Sequence, residues 1–206
     1  MKRIVLTLLA GVLAVGGLVA GAGTSTAAPA GESRLGSTTV VISPKVYRLV
    51  AGAGITPSTT GKAVARPTKG TLAVEFPIRG FKAKQLRTTH KGGIVLAAGG
   101  KRISISKPAV DLARGRVSAR VSGTEVGKVG RVDVFTISRA RTDTYGPARL
   151  KLTKAAAGAL NTTFGVKAFA GGDVFAYATP KITKVGLRNN AAKRIAAALE
   201  EFVAGH

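Results

Sequence analysis

The sequence predicts a mainly β fold: an antiparallel β-sandwich or barrel-like domain with two short helices in a pseudo-repeat and a C-terminal amphipathic helix. Three observations predict it. Short apolar alternations recur along the chain, each bounded by glycine. The 27 glycines and 8 prolines of the 206 residues are scattered, so the chain turns often. The hydrophobic share is 45%, but aromatics are only 5% and tryptophan is absent. A core is therefore affordable only from closely packed Val, Ile, Leu and Ala.

Residues 1–30 read as a signal peptide. Lys2 and Arg3 precede an apolar run from Ile4 to Ala20, and small residues follow at Ala28-Pro29-Ala30. An uncleaved anchor is the rival reading of that run. Its glycines and the Ala-rich exit favour cleavage, so the mature chain is expected to start at Gly31, or at Pro29 as second choice. The polar stretch 31–37 leads into a domain spanning 38–184, and a helical tail occupies 185–206. With no cysteine, neither a lipid-modified Cys nor a disulfide is available, which a domain of this size can accommodate outside the cell. The chain is read as secreted, and oligomeric state is left open.

Within the domain, Thr38 to Ile42 is a strand, and Ser43 caps a helix that admits Pro44 in its first turn and stops near Gly52 or Gly54. Ile55 to Gly70 reads as a loop rich in Gly, Pro and Thr. "TLAVEFPI", Thr71 to Ile78, alternates as a strand with Leu72, Val74, Phe76 and Ile78 on one face. Gly93 to Ala98 and Lys101 to Ser106 flank Gly99-Gly100 as a hairpin. Further strands cover Arg116 to Val121, Arg131 to Ile137 and Val174 to Ile182.

"VISPKVYRLVAGAGI" (Val41 to Ile55) is echoed by "LTKAAAGALNTTFGV" (Leu152 to Val166). Val41, Leu49, Gly54 and Ile55 fall on Leu152, Leu160, Gly165 and Val166. Each unit is a strand, a capped helix, a glycine stop and an apolar re-entry. In the tail, Asn189 to Val203 is a helix whose stripe is Ala191, Ile195, Ala198, Leu199 and Phe202. Lys193 and Arg194 come early and Glu200 and Glu201 late, against the helix dipole. The helix is therefore expected to dock rather than stand free.

The net charge is +23, or +21 once Lys2 and Arg3 leave with the leader. Such a surface attracts polyanions with a strong dependence on salt. For an exported chain the partners are anionic cell-wall polymers or a membrane surface rather than specific nucleic acid. The basic residues are dispersed, so the charge also suits plain solubility. Catalysis is not expected. The nine carboxylates show no metal-site spacing with a histidine, and G-x-S-x-G, G-x-G-x-x-G and P-loop patterns are absent.

His90 is the one histidine inside the chain, since His206 is the last residue. It sits in "THKGGIVLAAGG" (Thr89 to Gly100), where the glycines place it at the mouth of a hairpin. There it is expected to project from the end of the sheet, as a ligand-facing group or as a turn neighbour. The second reading is preferred, and Lys91 and Arg87 are expected to disfavour its second proton. The tyrosines are Tyr47 on the first helix, Tyr145 in a turn and Tyr177 on the last strand.

"FPIRG", "HKGGIVLAAGGKRISISKPAVDLARGRVSARV", "RVDVFTISRA" and "ARLKLTKAAAGALNTTFGVKAFAGGDVFAYATPKI" occur in the order found in HtaA-type domains of secreted actinobacterial proteins, and the chain resembles that family over about Thr38 to Lys184. The resemblance implies a β-rich fold and extracellular capture of haem through a tyrosine with a nearby histidine. On that pattern His90 matches the family histidine, and Tyr47 is the nearest candidate for the tyrosine. Haem-capturing members open with a tryptophan and a tyrosine-bearing first strand, and "STTVVIS" has neither. The expectation is thus a secreted, basic, non-catalytic binding module, with haem or another porphyrin as one ligand. The alternative is a structural or adhesive protein held to cell-wall polymers by charge alone.

Overall fold

A computed structural model describes residues 34–140 and 144–205, so the expected leader and its cleavage site lie outside the described residues. The strands are β1 (Gly36–Ile42), β2 (Thr56–Thr60), β3 (Val64–Thr68), β4 (Thr71–Lys82), β5 (Arg87–His90), β6 (Gly93–Ala98), β7 (Lys101–Asp111), β8 (Arg116–Gly123), β9 (Gly127–Arg139), β10 (Ala148–Leu152) and β11 (Val174–Ile182). The helices are α1 (Pro44–Gly52), α2 (Lys154–Phe164) and α3 (Asn190–Ala204).

Every pairing is antiparallel. The order β7-β5-β4-β1-β11-β10-β9-β8 closes on itself because β8 also pairs with β7, giving an eight-stranded barrel. Of the two β architectures the alternation allowed, the closed one forms, and it leaves no free edge in the ring. β6 and β2 continue the sheet beyond β7, and β3 lies along β4.

β2 and β3 occupy part of the stretch expected to be loop. "TPSTT" and "VARPT" carry no apolar alternation, and each holds a proline. Proline is tolerated in strands that lie at a sheet edge, and these two are such strands.

The pseudo-repeat is present in three dimensions. Ser43 Oγ accepts from Val46 N–H and donates to the Val174 carbonyl. Thr153 Oγ1 accepts from Ala156 N–H and donates to the Asp133 carbonyl. Gly54 and Gly165 stop their helices at φ of +65° and +67°. Each cap therefore both starts a helix and fastens it to a neighbouring strand, and Val46, Val50, Ala157 and Leu160 enter one core with Ile42, Val134 and Phe175. Thr153→Ala removes both bonds of one cap and is expected to cost about 1 kcal/mol in urea unfolding. An unchanged midpoint would show that the strand end, not the cap, positions α2.

α3 docks through Ile195 of its expected stripe, but the face is centred on Ala192 and Ile195, with Ala191 only partly buried. Ala192 and Ile195 are fully buried, and the helix lies against β4 and the single 3₁₀ turns at Ala83–Gln85 and Gly186–Arg188. The charge order that opposes its dipole is offset by tertiary structure, because the Arg139 guanidinium of β9 lies against Gly205 at the helix C-terminus.

Candidate functional site

An eight-stranded barrel has an interior that side chains can just fill, or that holds one small ligand. Here the filling is incomplete. Small residues on β10 and β11 (Ala148, Ala176 and Ala178) line, together with Ile78, Val110 and Ile137, a cavity of about 110 Å³. Leu199 and Phe202 of α3 line the same cavity, so the helix is part of its wall. The lining is almost entirely apolar; Thr38, Thr88 and His90 are its polar side chains.

His90 is inside the barrel, not at a hairpin mouth. On β5, Thr88 and His90 are the buried positions of an alternating strand, and His90 is 3% exposed. The expected projection from the sheet end is thereby corrected. Gly99-Gly100 do turn the β6–β7 hairpin, but Gly92-Gly93 make no hairpin. β5 and β6 both lie along β7 as two pieces of one interrupted strand. Gly92, at φ +82°, steps the chain past Ala63, whose backbone leaves no room for a Cβ.

Both ring nitrogens are engaged. Nε2 is 2.8 Å from Thr38 Oγ1, and Nδ1 is 3.3 Å from the Pro108 carbonyl oxygen. A carbonyl only accepts, so Nδ1 carries the proton, and in the neutral ring Nε2 accepts from the threonine hydroxyl. Pro108 can serve because the β7 register shifts between Ser106 and Ala109 and leaves it outside both ladders. Burial lowers the His90 pKa to about 4, opposed in part by the bond to Pro108. Desolvation, rather than the expected charges of Lys91 and Arg87, disfavours the second proton.

Tyr47 sits half-buried on α1, packed against the main core, and does not line the cavity that holds His90. Tyr145 and Tyr177 stack on each other at 5.6 Å, with Lys69 Nζ 6.0 Å from the Tyr145 ring, and they do not line it either. Thr38 is the site residue that sequence reasoning missed: a lone threonine at a strand start carries no signal until β4 sets it beside β5. Among the described residues no three His, Cys, Asp or Glu side chains gather as a metal site.

No protein-family model matches the chain, and no curated protein matches it. Solved structures do resemble it. The C-terminal domain of HtaA from Corynebacterium glutamicum is 11% identical, with 71% of this chain and 97% of that one covered, at a TM-score of 0.48. The heme binding protein HtaB from the same organism is 12% identical, with 72% and 96% covered, at a TM-score of 0.46. A domain-swapped dimer of a variant of that HtaA domain is 12% identical, with 65% and 88% covered, at 0.39. These are likenesses of overall fold, at a level that transfers no residue role to this chain.

Proposed function

We propose that the protein is a non-catalytic binding module, exported to the cell envelope or the extracellular space, that takes up the apolar part of an amphiphilic anion inside its barrel. The cavity carries this reading, since an interior void walled by Leu, Ile, Val and Phe stays dry and favours an apolar guest. The net charge, +21 without Lys2 and Arg3 of the leader, favours the guest's anionic end outside. α3, whose Leu199 and Phe202 close part of the wall, is the element a ligand would displace.

Haem is the amphiphilic anion that the sequence resemblance brings forward. The apolar wall beside His90 suits the body of a porphyrin. Two features do not fit haem in this closed barrel. The void is smaller than the roughly 150 Å³ cavity that admits benzene, and no tyrosine lines it. His90, with both nitrogens engaged, is a positioning group here. Haem would thus require α3 to move and a tyrosine to be brought across.

A haem titration followed by absorbance tests the reading. Saturable binding is expected, abolished by Ala148→Phe, which fills the void from the partly exposed end of β10. Binding that never saturates, or that Ala148→Phe leaves unchanged while circular dichroism shows an intact fold, would sink the barrel-interior reading. Retention by charge alone has one observation in its favour, the charge itself, and would show instead as salt-sensitive binding to cell wall that ignores Ala148→Phe.

A further inference from the structure

The outer face of the barrel gathers cations in a way the interior does not explain. Arg87 on β5 and Arg131 on β9 reach toward each other over β8. Arg87 Nη2 donates to Ser118 Oγ at 3.0 Å, and Arg131 Nη1 donates to the same oxygen at 3.2 Å. The two guanidinium nitrogens therefore lie within about 6 Å of each other. Arg131 also donates to the Ser118 and Lys107 carbonyls, which fixes its side chain in place. Arg120 is the cross-strand neighbour of Arg131, so a third guanidinium joins the same face.

Like charges held this close repel, and the ordinary remedy is an interleaved carboxylate. Two carboxylates are nearby, and both serve Arg114. Asp133 Oδ2 accepts from the Arg114 guanidinium at 3.3 Å, and Asp111 Oδ1 accepts from the Arg114 backbone N–H. Among the described residues no ion pair involves Arg87, Arg120 or Arg131. Burial, then Arg87 and Arg120, lower the pKa of Arg131. The Arg87 Nε–H is buried without an acceptor, a condition that a bound ion or water commonly accounts for.

We infer that Arg87 and Arg131, converging on Ser118 with Arg120 beside Arg131 on the same face, form a binding site for a phosphate group. The guanidinium fork matches phosphate oxygens in pairs, and the spacing lets one phosphate accept from two arginines at once. Ser118 and the carbonyls of Ser118 and Lys107 orient the forks before the anion arrives, which separates this site from the dispersed lysines of the rest of the surface. The site is on the outside of the barrel and independent of the cavity, so either assignment can fail without the other.

The test titrates the protein with inorganic phosphate while the arginine Nε–H resonances are followed by NMR. Joint, saturable shifts of the Arg87 and Arg131 signals are expected. The R87Q/R131Q variant should bind at least about tenfold more weakly, the loss of one charge-assisted hydrogen bond or more. R48Q/R66Q removes the same two charges from exposed positions elsewhere and should change affinity less than about twofold. R87K/R131K keeps the charge but not the fork, and its weakened binding would carry the same conclusion if the glutamine variant did not fold. Vesicles of phosphatidylglycerol, set against pure phosphatidylcholine vesicles, distinguish a lipid headgroup from free phosphate as the source. Equal weakening in R87Q/R131Q and R48Q/R66Q would overturn the site in favour of diffuse charge.

Discussion

Acidification from neutral pH to about 4 is expected to remove about 3 kcal/mol of stability through His90 alone. The folded barrel keeps the imidazole neutral until about pH 4, whereas the unfolded chain takes up the proton near 6.5. The contribution is therefore complete above 6.5, declines as pH falls through that window, and is gone below about 4. Against a typical total of roughly 5–15 kcal/mol this is a large fraction. The check is a set of urea unfolding curves across the window, for the wild type and for the double substitution His90→Leu with Thr38→Val. That pair removes the Thr38–His90 donor and acceptor together and leaves the Pro108 carbonyl as the group without its partner, so stability at neutral pH should fall by about 1–3 kcal/mol while the slope in acid becomes shallower. His90→Leu alone should be worse at neutral pH, because the Thr38 hydroxyl then loses its buried partner. Parallel acid profiles for wild type and double variant would show that the imidazole is not the group being titrated.

Ile195→Asp is expected to detach α3 from the barrel at a cost of about 3 kcal/mol or more. Ile195 is fully buried, and losing its burial forfeits roughly 1.5–3 kcal/mol before the carboxylate's own desolvation is counted. The helix escapes that second cost by leaving, but it then gives up the burial of Ala192 and the rest of its docked face as well, which brings the total to about 3 kcal/mol or more. Amide exchange should then rise along α3 while the barrel strands stay protected. The cavity would lose Leu199 and Phe202 from its wall. Exchange that rises equally in α3 and in the strands would show instead that α3 belongs to the global folding unit.

The two predictions rest on features of unequal legibility. The helix caps were readable because Ser43 and Thr153 act on residues three positions away, which one-dimensional spacing records. The stripe of α3 was readable for the same reason, although its partner was not. β5 was not readable, since four residues give too short an alternation and its inward positions are Thr88 and His90, both polar. The glycines after it pointed to a turn, and the chain instead continues along β7. The Pro108 carbonyl became available only through a register shift in a strand that is otherwise regular. The arginine cluster was hidden among dispersed basic residues, because Arg87 and Arg131 are 44 positions apart in the chain and meet only across β8.

The pairing of β1 with β11 sets the order in which the chain can assemble. Gly36 lies opposite Ile182, a contact across most of the described chain, whereas the β6–β7, β7–β8 and β8–β9 pairings are each local. Local hairpins form early because little loop entropy opposes them, and the long-range pair must wait. Until it forms, β1 and β11 each present an unpaired edge to any other strand in reach. Refolding of this barrel should thus have its slow step at ring closure, with the local β6–β9 meander protected first and β1 last. Until that closure, dilution rather than added stability is what protects the chain from its own copies.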